Sequence, residues 1–194
     1  ATLVFNLAFL VNPHPNTLRR IEKIIVSSND STDPLILSYG SMASTLSPEL
    51  QEHAVKFLLT RLPQVNCSSL QAANVIHIVH ALGNVKCYCT IHIMRELFRC
   101  PDLEVQLAAV HALRSNIHLI SEVQSALVEL LESSVDNNGL LQIAEAILKA
   151  IIAKAELDHV FEASFVGDRL LDALVKVFKN NEDSKRVINH YVQH

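Results

Sequence analysis

The sequence has little glycine and proline and no tryptophan. Only 4 Gly and 6 Pro occur among 194 residues. A fold built of β-hairpins needs frequent turn residues and strands in which apolar and polar side chains alternate, and no segment shows that alternation between turn signals. The composition therefore argues against β-structure and predicts an all-α chain.

Motifs of catalysis are also missing. The chain has no glycine-rich phosphate loop, no Gly-x-Ser-x-Gly nucleophile elbow and no His-Glu-x-x-His pair. Its carboxylates stand where first helical turns favour negative charge, as Asp102 and Glu104 do after Pro101. The sequence thus indicates no enzyme, no metal site and no cofactor.

Charge is scarce, and basic charge is dispersed. The 16 Lys and Arg residues are outnumbered by 20 Asp and Glu, which gives a net charge of −4. No basic stripe of the kind that binds a phosphate backbone is present, so nucleic acid is not an expected partner. Charged residues make up 19% of the chain, below the roughly 25% typical of soluble domains. We therefore expect some apolar surface to face something other than water.

Long hydrophobic runs are absent too. The segment "ATLVFNLAFLV", residues 1–11, is shorter than the roughly 20 residues that span a bilayer and lacks the positively charged flank of a signal peptide. We interpret it as the end of a buried helix, predict no transmembrane segment, and expect the chain to be a piece of a longer protein.

The prolines that are present mark helix starts. In "TDPLILSYG", "SPELQEHAVKF" and "CPDLEVQLAAV" a proline stands near the first helical position, with neighbours that can cap the helix. Gly83-Asn84 is interpreted as a left-handed C-terminal cap. The predicted helices are 1–11, 15–27, 33–45, 48–62, 69–83, 89–99, 102–115, 121–134, 138–156, 168–179 and 182–192.

A short internal repeat bears on the architecture. Val-His-Ala-Leu occurs at 79–82 and again at 110–113, each time near a predicted helix end. A period in this range is typical of stacked helical hairpins, so we predict one domain over residues 1–194, a HEAT-like α-solenoid of antiparallel hairpins. A plain helical bundle is the alternative.

The four cysteines raise the question of a metal site. Cys87, Cys89, His92 and Cys100 carry zinc-type ligands, but their spacing is not the paired Cys-x2-Cys pattern. If residues 89–99 are helical, Cys89 and Cys100 lie roughly 16 Å apart along the axis, too far to share one ion. A thioredoxin-type redox site is disfavoured because the two-residue spacer is lacking.

A disulfide is the structural alternative. Cys67 precedes the predicted helix 69–83 and Cys100 follows the helix 89–99, so an antiparallel pair of helices brings both to the same end, within reach of a disulfide. Cys87 and Cys89 are left unassigned: free, paired with another part of a parent protein, or linked to each other.

Two further sets of residues are weaker candidates. His77 and His80 fall on one face of a predicted helix, as metal ligands do, but a helical histidine is more often a partly buried or surface residue. Asn29 and Asn66 begin N-glycosylation sequons in predicted turns. The sequons agree with secretion without establishing it.

Several segments, taken in order, resemble a known family. "LILSYGSMAS", "HALGNVK" and "VQLAAVHALR" are similar to the helical domain of the large lipid transfer proteins, which include vitellogenins, apolipoprotein B, apolipophorins and microsomal triglyceride transfer protein. The matching elements are Tyr39-Gly40-Ser41, Cys67, Leu82-Gly83-Asn84, Cys100 and Ala112-Leu113-Arg114. The resemblance runs from about residue 15 to 155.

The resemblance implies a two-layered, right-handed α-superhelix that curls around the lipid cavity of a larger protein, in the secretory pathway or outside the cell. It implies that Cys67 and Cys100 form the family's disulfide, whereas Cys87 and Cys89 depart from the family pattern. The domain would support lipid held with other domains and offer a surface to a protein partner, such as protein disulfide isomerase or a receptor.

A second hypothesis is a cytosolic HEAT-like scaffold that binds proteins through its concave face. It predicts reduced cysteines and a charged groove, whereas the lipid-transport hypothesis predicts a disulfide and an uncovered apolar face. The low charge content and the ordered segments favour lipid transport.

Overall fold

The computed structural model describes residues 10–11, 13–28, 34–62, 72–115, 121–133, 137–158 and 168–179. All regular structure in these ranges is helical, so the all-α prediction is confirmed for them. The α-helices are α1 (Pro15–Ser28), α2 (Pro34–Ala43), α3 (Pro48–Arg61), α4 (Ala72–Val85), α5 (Ile91–Leu97), α6 (Leu103–Ala112), α7 (Ser121–Ser133), α8 (Asn137–Asp158) and α9 (Asp168–Lys179). Short 3-10 turns cover Tyr88–Thr90 and Leu113–Ser115.

The helix starts follow the local chemistry. Pro34 and Pro48 are the first residues of α2 and α3, where the missing N–H leaves no hydrogen bond unmade. Ahead of α6, the Asp102 carboxylate accepts hydrogen bonds from the Glu104 and Val105 amides at 3.0 and 3.3 Å, which satisfies two otherwise orphaned donors.

Each described helix begins and ends within about three residues of its predicted bounds. Two predictions need correction. Leu10 and Val11 are not helical, although the prediction placed them in a helix 1–11. Gly83 is not a cap: α4 continues to Val85, and Lys86 takes the left-handed conformation with φ 59°. The predicted helix 182–192 lies outside the described residues.

The chain divides into two compact units, residues 1–112 and 113–194. In the first unit α2 packs against α4 and α4 against α6, so these three alternate helices are direct neighbours. Helix α3 packs on α2 and α4, and α5 packs on α6. The largest fully buried side chains of this unit are Leu18, Ile25, Ile36, Tyr39, Met42, Leu58, Ile78, Leu82, Met94 and Leu97.

Two glycines permit the close approach of these helices. A Cβ built on Gly40 would lie 2.9 Å from the carbonyl carbon of Ala81, and one on Gly83 would lie 2.8 Å from the Cβ of Ala112. Both distances are far below ordinary van der Waals contact, so α2, α4 and α6 cross with their backbones nearly touching.

The second unit consists of α7, α8, α9 and the turn Leu113–Ser115. Helix α9 packs on α7 and α8, and α8 also contacts the turn. An ion pair at 3.8 Å between Arg169 and Glu132 joins the exposed edges of α9 and α7. The expectation of a single domain over 1–194 stays a prediction.

Candidate functional site

The most distinctive chemistry lies at the turn between α4 and α5, residues 86–90, which we call the cysteine turn. Lys86 reverses the chain in the left-handed region, and Cys87 then returns to an extended conformation. The Thr90 hydroxyl and amide both donate to the Cys87 carbonyl, at 2.8 and 3.2 Å. These bonds fix the start of the 3-10 turn that leads into α5.

Cys87 and Cys89 form a disulfide with each other, their Cα atoms 5.2 Å apart. Of the three possibilities that the sequence left open, the structure has the mutual link. The Cys89 amide donates to the Cys87 sulfur at 3.3 Å. Between the two cysteines, Tyr88 points outward with 58% of its surface exposed.

This bond bears on the zinc hypothesis that the sequence already disfavoured. A thiolate is the form of cysteine that binds zinc, and a disulfide sulfur is not a thiolate. Within the described ranges, no group of three or more His, Cys, Asp and Glu residues is arranged to hold a metal ion. His77 and His80 are half-buried on α4, and His92 is exposed on α5.

Cys100 is also disulfide-bonded, and it is buried with 2% of its surface exposed. The Gln106 side chain donates from Nε2 to the carbonyls of Phe98 and Cys100 at 3.0 and 2.8 Å. One amide group thus satisfies two carbonyls at the turn after α5. The predicted partner Cys67 and the sequon residues Asn29 and Asn66 lie outside the described residues, so that pairing and those sites stay predictions.

A second polar cluster, which the sequence reasoning missed, joins three helices. Tyr39 on α2 donates its hydroxyl to Glu22 Oε1 on α1 at 2.7 Å, and the same oxygen lies 3.0 Å from His53 Nε2 on α3. Tyr39 is 1% exposed, and its ring packs against Phe57 with centroids 5.2 Å apart. Burial and the hydrogen bond to Glu22 raise the pKa of the Tyr39 phenol well above its ordinary value of about 10.

The local sequence predicts part of this polar cluster. A tyrosine among apolar residues predicts a buried ring whose hydroxyl needs a partner. That partner comes from a different helix, and no sequence spacing relates Glu22 or His53 to Tyr39. The shared Glu22 oxygen therefore links α1, α2 and α3 through polar contacts.

Helix α9 carries apolar surface that its own unit does not cover. Leu170, Leu174 and Phe178 form its buried face. Leu171 and Val175 each follow a residue of this buried face, and they stand four positions apart. They stay 37% and 45% exposed. Residues at this spacing lie on one side of a helix, so the apolar stripe of α9 is wider than its buried face.

Within the described residues, none of the helices has both the length and the apolar character needed to cross a bilayer. Comparison of the chain with protein-family models, with curated proteins and with solved structures gives no match.

Proposed function

We propose that this chain is a structural helical domain of a lipid-transport or lipid-storage protein. Its helices would stack as a two-layered, right-handed superhelix that supports a lipid cavity formed with other domains. The observation that carries the proposal is that segments of the family resemblance meet one another at successive helix crossings.

The crossings repeat the same chemistry. Gly40, from the Tyr-Gly-Ser segment, lies against Ala81, and Gly83, from the Leu-Gly-Asn segment, lies against Ala112. Ala81 and Ala112 are the same position of the repeated Val-His-Ala-Leu. When similar hairpins stack, a glycine on one helix would pack against the equivalent alanine two helices later in the chain.

Helix order supports the two-layered arrangement. In an array of antiparallel hairpins, alternate helices are neighbours within a layer, and consecutive helices are neighbours across layers. The contacts of α2 with α4 and of α4 with α6 are of the kind expected within a layer. Those of α3 with α4 and of α5 with α6 are of the kind expected across layers.

The cysteines support an oxidising compartment. Cys87, Cys89 and Cys100 are all disulfide-bonded, whereas cytosolic proteins keep most thiols reduced. A cytosolic scaffold predicts free thiols, so this observation favours the secretory pathway.

The apolar stripe of α9 supports contact with lipid or with a lipid-bearing domain. The test is flotation of the full chain with triolein droplets coated with phosphatidylcholine. We expect the chain to float with the droplets. The double substitution Leu171→Ser and Val175→Ser should weaken binding by about tenfold, because burial of a Leu or Val side chain contributes up to about 1.5–3 kcal/mol and part of each is already buried.

The matched control is the double substitution Asp172→Ser and Lys176→Ser. Both side chains are exposed on the same helix, and the pair leaves the net charge unchanged. This variant should float like the wild type. A chain that does not float, or equal loss in the two variants, would count against a lipid-facing role.

A further inference from the structure

The cysteine turn has no role in the proposed scaffold, yet it holds a disulfide in an accessible place. A bond between cysteines two positions apart closes a very small loop, so it restricts the unfolded chain much less than a bond across a long loop does. Stabilisation of the fold is therefore a weak reason for this bond. Its surroundings indicate exchange chemistry instead.

Access distinguishes Cys89 from Cys100. Cys100 is 2% exposed, so an incoming thiolate cannot reach its sulfur without local opening. Cys89 is partly exposed and follows the outward-facing Tyr88, while Cys87 is 9% exposed. Because thiol–disulfide exchange requires direct attack on a sulfur, Cys89 is the reachable end of the disulfide in the cysteine turn.

The hydrogen bonding of the turn favours the same direction of attack. The Cys89 amide donates to the Cys87 sulfur at 3.3 Å, and such a bond stabilises negative charge on that sulfur. The cationic side chain of Lys86 is the adjacent residue in the chain and is exposed. A sulfur whose developing negative charge accepts a hydrogen bond is the better leaving group, so cleavage with Cys87 leaving is the favoured course.

We propose that the Cys87–Cys89 disulfide is a thiol-exchange site that accepts two electrons from a protein dithiol. A thiolate of the dithiol attacks Cys89 Sγ; the Cys87–Cys89 bond breaks, and Cys87 leaves as a thiolate that takes a proton from water. The second thiol of the partner, as its thiolate, then attacks the partner's sulfur in the mixed disulfide. Cys89 leaves and is protonated, the partner becomes a disulfide, and both cysteines of the turn are reduced.

The chemistry selects a dithiol over a single thiol. A monothiol bound to Cys89 stays next to the Cys87 thiolate, which can attack Cys89, re-form the original bond and expel the monothiol. A dithiol escapes this reversal because its second thiol completes the reaction. The proposal goes beyond the lipid-transport function and does not rest on it.

The first test follows the oxidised full chain during incubation with reduced thioredoxin, a Cys-x-x-Cys dithiol protein, or with glutathione at equal thiol concentration. Samples are quenched with an alkylating agent, and labelled cysteines are identified by peptide mapping. We expect Cys87 and Cys89 to be labelled at least tenfold faster with the dithiol than with glutathione. Equal rates of reduction by the two reductants would overturn the proposal.

The second test asks which sulfur is attacked. In the wild type, the transient mixed disulfide with thioredoxin trapped by acid should map to Cys89 by peptide mapping. A mixed disulfide at Cys87 would overturn the assignment.

Discussion

At the scale of single residues, the Tyr39 hydroxyl shows how a buried polar atom is satisfied. An aromatic ring in the core contributes apolar contact, but its hydroxyl loses water on burial and needs a partner. Glu22 supplies that partner at 2.7 Å while staying only 14% exposed itself. The carboxylate also lies 3.0 Å from His53 Nε2, so one oxygen connects three helices.

Replacement of Tyr39 by Phe should lower the free energy of unfolding at neutral pH by about 1–2 kcal/mol, since it removes a hydrogen bond to a charged acceptor. The effect should shrink at alkaline pH. The raised pKa of folded Tyr39 means that its contribution is complete below the ordinary value of about 10 and is lost progressively as the pH rises above it.

Urea unfolding between pH 8 and pH 10.5 measures this difference. Above about pH 10 the wild type should lose stability more steeply than Tyr39→Phe, by up to about 1.4 kcal/mol for each pH unit. Parallel curves for the two proteins over the whole range would show that the pKa of Tyr39 is the same in the folded and unfolded states.

At the scale of helices, the sequence predicts which segments are helical better than how each one ends. Prolines and Asp102 mark the starts of α2, α3 and α6, because start signals act through neighbouring backbone groups. The predicted cap at Gly83 is wrong because a glycine near a helix end also suits close packing between helices. Only the position of Ala112 on α6, which is a tertiary contact, distinguishes the two roles.

The crossing of α4 and α6 gives the prediction for this scale. Gly83→Ala would place a Cβ 2.5 Å from the Cα of Ala112, and a backbone atom cannot move aside as the tip of a flexible side chain can. We expect the free energy of unfolding to fall by about 1–3 kcal/mol, although alanine has the higher helix propensity. Urea unfolding of the folded variants measures the change.

A double-mutant cycle with Ala112→Gly tests the stated cause. Removing the Ala112 Cβ relieves one of the close contacts and leaves the contact with its Cα, so the double variant should be more stable than the sum of the single changes predicts. Asn74→Ala, on the same helix, is the control for an alanine that meets no such contact and should change stability little. Additive effects in the cycle would show that the contact between positions 83 and 112 is not the cause of the lost stability.

At the scale of the whole chain, the sequence predicted the class of fold but not the chemistry of the cysteine turn. The all-α prediction rests on helical periodicity and scarce glycine over the whole sequence, so an error at a single position does not change it. The Cys87–Cys89 link depends on one local reversal at Lys86, for which a lysine gives no signal. The predicted partner of Cys100, Cys67, lies outside the described residues.

The two cysteine pairs should therefore differ in what they contribute to the stability of the chain. In the chain-entropy picture, a bond from Cys67 to Cys100 would close a loop of about 34 residues and contribute about 4 kcal/mol, while the three-residue loop of the cysteine turn contributes only about 1.5 kcal/mol. Replacing Cys67 and Cys100 together by Ser should thus cost roughly twice as much as replacing Cys87 and Cys89 together.

Urea unfolding of the two double variants, with a non-reducing peptide map of the wild type from a secretory source, measures both parts of this prediction. A linked peptide containing Cys67 and Cys100, together with the larger loss for that pair, would establish the stapled hairpin. Equal losses would mean that the fold does not depend on the long loop being closed. A free thiol at Cys67 would remove the staple and, with it, the argument for an oxidising compartment that the predicted pair supplies.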